Sequence, residues 1–517
     1  MQPQLFSEPL AVRVRAAVRS IPARVRTHWV FGDDRPVGIA CVAVTAVLIL
    51  WYTLHFGHLT SEVHRGYGDS AFDIGLYDQG LWLLSRFHAP FITLMGRNLF
   101  GDHTQFSLLF LVPLYWIRPN ATTLLYVQSF ALALGAVPVY LLSMRLLRRP
   151  ILAMVLAASF LLFPALAASN LENFHPDCLL VPVLGFAIYA AVVDKRRMFI
   201  VFSVLALLCK EDTVFVVLPL AVWFALRRDR RVGAIVGAAS IGWALFATNV
   251  IMRSLIGVPT LNTWRVPFGG PAALIKETLR KPADVVKYFI KGDRPNGRPF
   301  YVWQMVAPTG VMFLVAPEVA ATALVVVALN ILSTFGYQHQ IAYHYSMAPI
   351  SGLVLGTVFA VSKLKKERAR TIAVGIVALS ALWTSFLWGP FPWSVHNTVA
   401  HLSPSNSAVQ AVERVQDKLP SGAVVSVYYG YASHVDHRRR VYMWPTPFAA
   451  SNWKTFKQEG QLLPEARDVE YLFLPTNLED HAGVFDRVRS EFHEVARAQN
   501  DLGQGAVLYK RNTAEGG

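Results

Sequence analysis

The chain has 517 residues, 54% of them hydrophobic and only 16% charged, where soluble domains carry about 25% charged residues. That shortfall, with a positive mean hydropathy, excludes a wholly soluble protein and points to a multi-pass integral membrane protein. The net charge of +15 is explained by basic loops facing anionic lipid, so membrane lipids are expected partners and nucleic acid is not.

An arginine-rich start (Arg13, Arg15, Arg19, Arg24, Arg26) precedes the first span, residues 37–55. No small-residue cleavage site follows it, so residues 1–36 read as an uncleaved basic cytoplasmic tail. A span needs about 20 apolar residues. Further uncharged windows lie at 121–144, 150–168, 179–193, 198–209, 213–226, 232–252, 302–316, 319–335, 345–362 and 371–393. The three cysteines, Cys41, Cys178 and Cys209, sit in or beside these windows and outline neither a disulfide framework nor a zinc site.

Short cytoplasmic loops are enriched in Lys and Arg. Four basic clusters, at 145–149, 195–197, 227–231 and 363–370, fall on the side of the N-terminus only if 198–226 enters and leaves from one side. Lys210-Glu211-Asp212 interrupts that stretch in its middle, which predicts a hairpin of two short helices with the triplet at its outer tip. The domain at 37–393 then has about eleven membrane segments. The outward segments are a long first loop (56–120), 170–177, a basic loop (253–300) and 336–344. Within the basic loop, residues 272–290 read as one amphipathic helix lying in the interface.

From about Ser403 the texture changes. Residues 405–419 read as a helix, 423–428, 469–474 and 506–510 as strands, and 479–496 as a helix between the last two. This predicts a small α/β domain at 394–517 outside the cytoplasm, packed on the outer membrane surface.

Ionisable residues at membrane depth are costly, so those that occur there are functional candidates. The outward segments hold Asp69, Asp73 and Asp78; Asp102 and His103; Glu172, His175 and Asp177; Lys210, Glu211 and Asp212; and His344 and Tyr345. All converge on one face. Tyr67, Tyr77, Trp82 and Tyr345 suit sugar stacking or an interfacial aromatic belt. Plainer readings accompany these. Asp69 or Asp73 would cap a helix, and on a straight helix Asp73 and Asp78 lie about 140° apart. The lysine triplet would be an ion-paired turn. His175 with Asp177, Asp102 with His103, and His434-Val435-Asp436-His437 have no recognised metal-site spacing, so no metal or other cofactor is expected.

Several blocks carry a resemblance. Residues 72–82, Gly101-Asp102-His103 with Pro113-Leu114-Tyr115-Trp116, Asn173-Phe174-His175-Pro176 and Leu208-Cys209-Lys210-Glu211-Asp212 together resemble the bacterial membrane-protein family called domain of unknown function 2079. Residues 424–428 and Arg440-Val441-Tyr442-Met443-Trp444-Pro445 extend it into the tail. That family is similar to the GT-C glycosyltransferases, polytopic enzymes with an acid in a long first outer loop and a polyprenyl-phosphate sugar donor. The Lys210 hairpin resembles a leucine-rich segment with a central lysine in lipid A aminoarabinose and protein mannosyl transferases.

The resemblance implies a helical GT-C-like fold and a sugar transferred to an extracytoplasmic acceptor in the cell envelope. It implies a catalytic acid at Asp73, with Asp69 and Asp78 as alternates, and substrate binding by the other ionisable residues named above and Tyr345. The chain departs from the pattern in lacking a paired Asp-Glu motif after the first span. The alternatives are a transporter or flippase of lipid-linked precursors and a non-catalytic assembly protein. A transporter places its polar residues near the bilayer midplane, whereas here they cluster outward.

Overall fold

The computed structural model describes residues 29–256, 265–291, 297–397, 401–454 and 458–512; residues 1–28 of the basic tail lie outside them. The first helix, Arg35–Arg65, starts at Asp34, whose carboxylate accepts from the Val37 amide. It runs ten residues past the predicted span. Thr60 and Ser61 turn their hydroxyls back to the carbonyls of Phe56 and Gly57, so polar side chains end the apolar window without ending the helix. At 1.5 Å per residue it is about 46 Å long, well over the roughly 30 Å hydrocarbon core. The loop that follows the first helix therefore begins at Gly66 rather than at residue 56.

Among the described residues, five helical stretches are long and apolar enough to cross a membrane: Arg35–Arg65, Ala121–Leu147, Arg230–Ile256, His344–Ser362 and Glu367–Trp388. Pro150–Leu161 and Pro164–Asn170, bent by 44° where Phe163 precedes Pro164, make a sixth if taken as one span. Asp177–Val192 and Ala321–Leu332 are apolar but shorter. The expected segment at 302–316 is not one helix. Arg298–Val306 gives way to 3₁₀ turns at Ala307–Thr309 and Met312–Val315, because Pro308 lacks an amide proton and Gly310 and Val311 both take positive φ.

The hairpin forms as expected. Arg196–Leu207 and Val214–Arg227 are joined by a turn carrying Lys210. Their far ends meet, since Arg196 Nη1 lies 2.6 Å from Asp229 Oδ2 and Arg228 donates to the Val192 carbonyl. The basic clusters also gather at one end. Arg149 pairs with Glu367, and Asp177–Val192 packs alongside Met347–Ser362, with the Ser351 hydroxyl on the Val181 carbonyl at 2.8 Å. These two helices run the same way, for His175 and His344 stack at 3.6 Å at their beginnings. The basic clusters after each helix therefore share the opposite end.

The interfacial segment is two helices, not one. Pro271–Arg280 and Pro282–Lys291 break at Lys281, which Pro282 keeps out of the helical region. Ile275, Leu279, Val286 and Ile290 are exposed along them, an apolar face suited to the membrane surface.

The C-terminal region holds a helix, Ser407–Gln416, and a five-stranded sheet. A short antiparallel ribbon in the loop after the first helix supplies β1 (Phe91–Ile92) and β2 (Arg97–Asn98). The sheet comprises β3 (Val425–Val427), β4 (Val441–Met443), β5 (Tyr471–Pro475), β6 (Phe492–Gln499) and β7 (Gly505–Arg511), ordered β4-β3-β5-β7-β6. The first three pair in parallel, and β7 is antiparallel to both β5 and β6. The helix expected over 479–496 is confined to Ala482–Val488. Glu494 and Arg497, three apart as on a helix face, pair instead along the edge strand β6, where a bulge between Glu494 and Ala496 shifts the register.

Candidate functional site

The chain leaves the first helix at Gly66 and re-enters helical structure through Ala71–Gly75, where Asp73 adopts φ 61°, ψ −92°. Such a conformation costs a non-glycine residue about 1–3 kcal/mol and is retained where the surroundings impose it. It turns the carboxylate out of the helix line. Asp73 caps nothing: the helix Leu76–Ser85 begins after Gly75 with no side-chain cap. Its Oδ1 instead lies 3.1 Å from His175 Nε2.

His175 is buried and ordered by its neighbours. Its amide donates to the Gln128 side-chain oxygen at 2.8 Å, Tyr77 and Phe174 pack beside it, and its ring lies flat on His344. Glu172 accepts from the His344 amide at 2.7 Å and lies 3.9 Å from His175 Nδ1. Burial pushes the Glu172 carboxyl up to about 7, with His175 opposing. Burial pulls His175 down, but Asp73 and Glu172 outweigh it and hold the imidazole up at about 9. At neutral pH His175 thus meets Asp73 as an imidazolium.

Lys210 faces the same pocket from the hairpin tip. It is buried, with Nζ 3.5 Å from Asp177 and 3.7 Å from Asp212, and 5.9 Å from the centre of the Tyr345 ring. Burial pulls the ammonium down, yet Asp177 and Asp212 hold it well above its ordinary value. Glu211 turns to the loop after the first helix, where His103 Nδ1 lies at 2.7 Å and the Thr104 amide donates at 3.1 Å. Arg265 reaches the Tyr345 hydroxyl at 3.3 Å and stacks on Phe335. One Asp177 oxygen and His175 Nδ1 are buried without a hydrogen-bond partner, so the pocket keeps polar capacity that its own side chains leave unused.

The sites expected from sequence therefore separate. Asp73, Glu172, His175, Asp177, Lys210, Asp212, His344 and Tyr345 come together, with His103 and Glu211 as a second pair supporting the hairpin tip. Asp102 leans away to Arg97 at 2.6 Å. Asp69 and Asp78 lie elsewhere, beneath the C-terminal domain. Asp69 bonds His64 at 2.5 Å and the Ser433 hydroxyl at 2.8 Å. Asp78 accepts from the Tyr115 hydroxyl at 2.5 Å and contacts His437 at 2.9 Å. Tyr67 stacks on His434 and Trp82 on His437, so of the four aromatics only Tyr77 and Tyr345 border the pocket.

The segment 434–437 is the domain's foot on the loop after the first helix. Beside it, the Thr93 hydroxyl both donates to the Val441 carbonyl and accepts from its amide, covering the edge of β4. Gly96, at φ +64°, lies flat under Trp453; a Cβ there would fall 2.4 Å from the ring.

An apolar cleft of about 910 Å³ opens between the helices, lined by Phe110, Tyr126, Phe130, Pro182 and Leu205. Ser107 and Cys209 also line it, and Ser107 donates its amide to the carbonyl of Leu208. The cleft thus reaches the residue next to Lys210, while Phe110 and Phe130 stand exposed at its mouth.

A family model described as a predicted membrane protein family, DUF2079, matches residues 69–492. The chain belongs to this family. No curated protein sequence matches it. Among solved structures, ArnT from Cupriavidus metallidurans bound to undecaprenyl phosphate is similar at TM-score 0.55 and 13% identity, covering 93% of this chain and 98% of that one. Its apo form aligns at TM-score 0.51 and 13% identity, over 91% and 97% of the two chains. ArnT is a GT-C glycosyltransferase, so this DUF2079 member is a helical membrane protein with a GT-C fold.

Proposed function

We propose that the protein is a membrane glycosyltransferase that moves a sugar from a polyprenyl phosphate to an acceptor hydroxyl in the cell envelope. The observation that carries this reading is the position of buried Lys210 beside the inner end of a lipid-exposed apolar cleft, with the Asp73–His175 pair in the same polar pocket. A polyprenyl chain has the chemistry to fill such a cleft, and an ammonium has the charge to hold its phosphate. The structural neighbour ArnT binds undecaprenyl phosphate, which supports that class of donor.

In the reaction, the bond from the sugar's anomeric carbon to the phosphate oxygen breaks as the acceptor oxygen bonds that carbon. Asp73 takes the acceptor's proton, and His175 fixes the carboxylate through one oxygen. Lys210 stabilises the departing phosphate, and Arg265 and Tyr345 border the same space. The pocket faces away from the cytoplasm, since the basic clusters sit at the opposite end of the bundle. The N-terminus is then cytoplasmic and the C-terminal domain outside.

The test is to supply purified protein with radiolabelled polyprenyl-phosphate sugars and envelope acceptors, comparing the parent with Asp73→Asn. Removing a general base lowers turnover by about 10²–10⁴-fold, with donor affinity nearly unchanged. Full activity in Asp73→Asn, with loss in Asp69→Asn or Asp78→Asn, would assign the base elsewhere. Absence of transfer by the parent with every donor would sink the reaction class.

A further inference from the structure

Outside the pocket, the C-terminal domain meets the outer loop at two carboxylates and an imidazole. Asp78 projects from Leu76–Ser85, while Asp436 and His437 follow the 3₁₀ turn Tyr429–His434. Asp78 is 1% exposed and Asp436 2%. Each of the three residues offers a ligand atom within 4.8 Å of the others. Burying two carboxylates together is costly unless a cation or a shared proton compensates. Among the described residues no lysine or arginine pairs with either, and Arg438 next in chain turns instead to the carbonyls of Val435 and Ala423. Asp78 has the Tyr115 hydroxyl and His437. Asp436 Oδ2 is buried with no hydrogen-bond partner. A fully buried, unpartnered carboxylate oxygen beside a second carboxylate and an imidazole is a donor set suited to a cation.

We propose that Asp78, Asp436 and His437 bind one divalent metal ion that fastens the C-terminal domain to the first outer loop. Two carboxylate oxygens and one imidazole nitrogen suit zinc-type ions, whose bonds to such ligands run to about 2.0–2.2 Å and leave a fourth position for water. The partly exposed His437 gives the ion its way in. Its role is structural and does not depend on the transfer reaction, because the ligands lie on Asp78 and the domain's foot rather than on Asp73 and Lys210. The bridge joins residues 359 positions apart in sequence, so the ion would fix how the domain sits on the loop after the first helix.

The experiment uses the full chain in detergent, stripped with EDTA and then titrated with zinc chloride. Metal content is read by mass spectrometry and unfolding by tryptophan fluorescence. Two other histidine–carboxylate groups, His64/Asp69/His434 and Glu172/His175/His344, have comparable spacing, so the difference between variants decides. Asp436→Asn should bind one equivalent less zinc than the parent and lose most of the metal-induced rise in melting temperature. His437→Gln, at the accessible rim, should weaken binding at least tenfold while folding normally. Equal stoichiometry in parent and Asp436→Asn would overturn the site. So would a metal-free Asp436→Asn that melts higher than the metal-free parent while the parent takes up no zinc, since the carboxylates would then share a proton instead.

Discussion

His175 gives the sharpest check on the electrostatics of the pocket. Its folded-state value of about 9 stands above the ordinary 6.5. The stabilisation it supplies is therefore fully present below pH 6.5 and is lost as pH rises through 9. At about 1.4 kcal/mol per pH unit the whole effect is about 3 kcal/mol, of which roughly 2.5 kcal/mol remains at pH 7. Glu172, also raised, loses its contribution earlier, between 4.5 and about 7, so a window from pH 7.5 to 9.5 belongs chiefly to His175. With about 2 cal/mol/K of unfolding entropy per residue, the loss across this window corresponds to about 1–2 °C in a chain this long. Replicate melts in detergent, followed by tryptophan fluorescence, resolve that. The parent should lose melting temperature across the window, and His175→Gln should be flat there though lower at pH 7. A parent curve as flat as the variant's, or a variant as steep as the parent, would refute the Asp73–His175 ion pair.

Three further outcomes follow from other contacts. Lys210→Met should weaken binding of undecaprenyl phosphate at least tenfold in a direct binding assay. It should also cost stability, because breaking a buried pair by removing one partner costs about 3–5 kcal/mol; unchanged affinity with the stability loss alone would leave Lys210 a turn residue. Gly96→Ala drives a Cβ into Trp453 at a positive φ, and should lower the melting temperature and speed proteolytic cutting between the outer loop and the C-terminal domain. Reporters fused after Arg149 and Lys366 should read cytoplasmic and one at Asn500 external; a cytoplasmic signal at Asn500 would reverse the proposed orientation.

Charge patterning carried much of this architecture. The hairpin at 198–226 was legible because Lys210-Glu211-Asp212 breaks an apolar run midway, and the basic clusters told its far ends to meet. Convergence of Asp73, His175, Lys210 and His344 was legible for the same reason, as isolated polar groups between apolar windows. Local texture misled where long-range pairing decides. Residues 492–496 read as the end of a helix, and only pairing with β7 makes them part of a strand. Residues 302–316 are apolar enough for a span, yet Pro308 and Gly310 set the backbone. Asp69 and Asp78 looked like alternates to Asp73 because their partners, Ser433 and His437, lie more than 350 residues away.

That separation also shapes how the protein is made. The Thr93 hydroxyl and the edge of β4 are 348 residues apart, and synthesis proceeds at about 5–20 residues per second. The first outer loop therefore waits roughly 20–70 s, while the rest of the bundle is inserted, before its covering domain exists. Through that interval Asp69, Asp78 and the glycine face that later meets Trp453 stand open to whatever shares their side of the membrane. A chaperone or a neighbouring chain has its opportunity there, and the finished molecule keeps no trace of it.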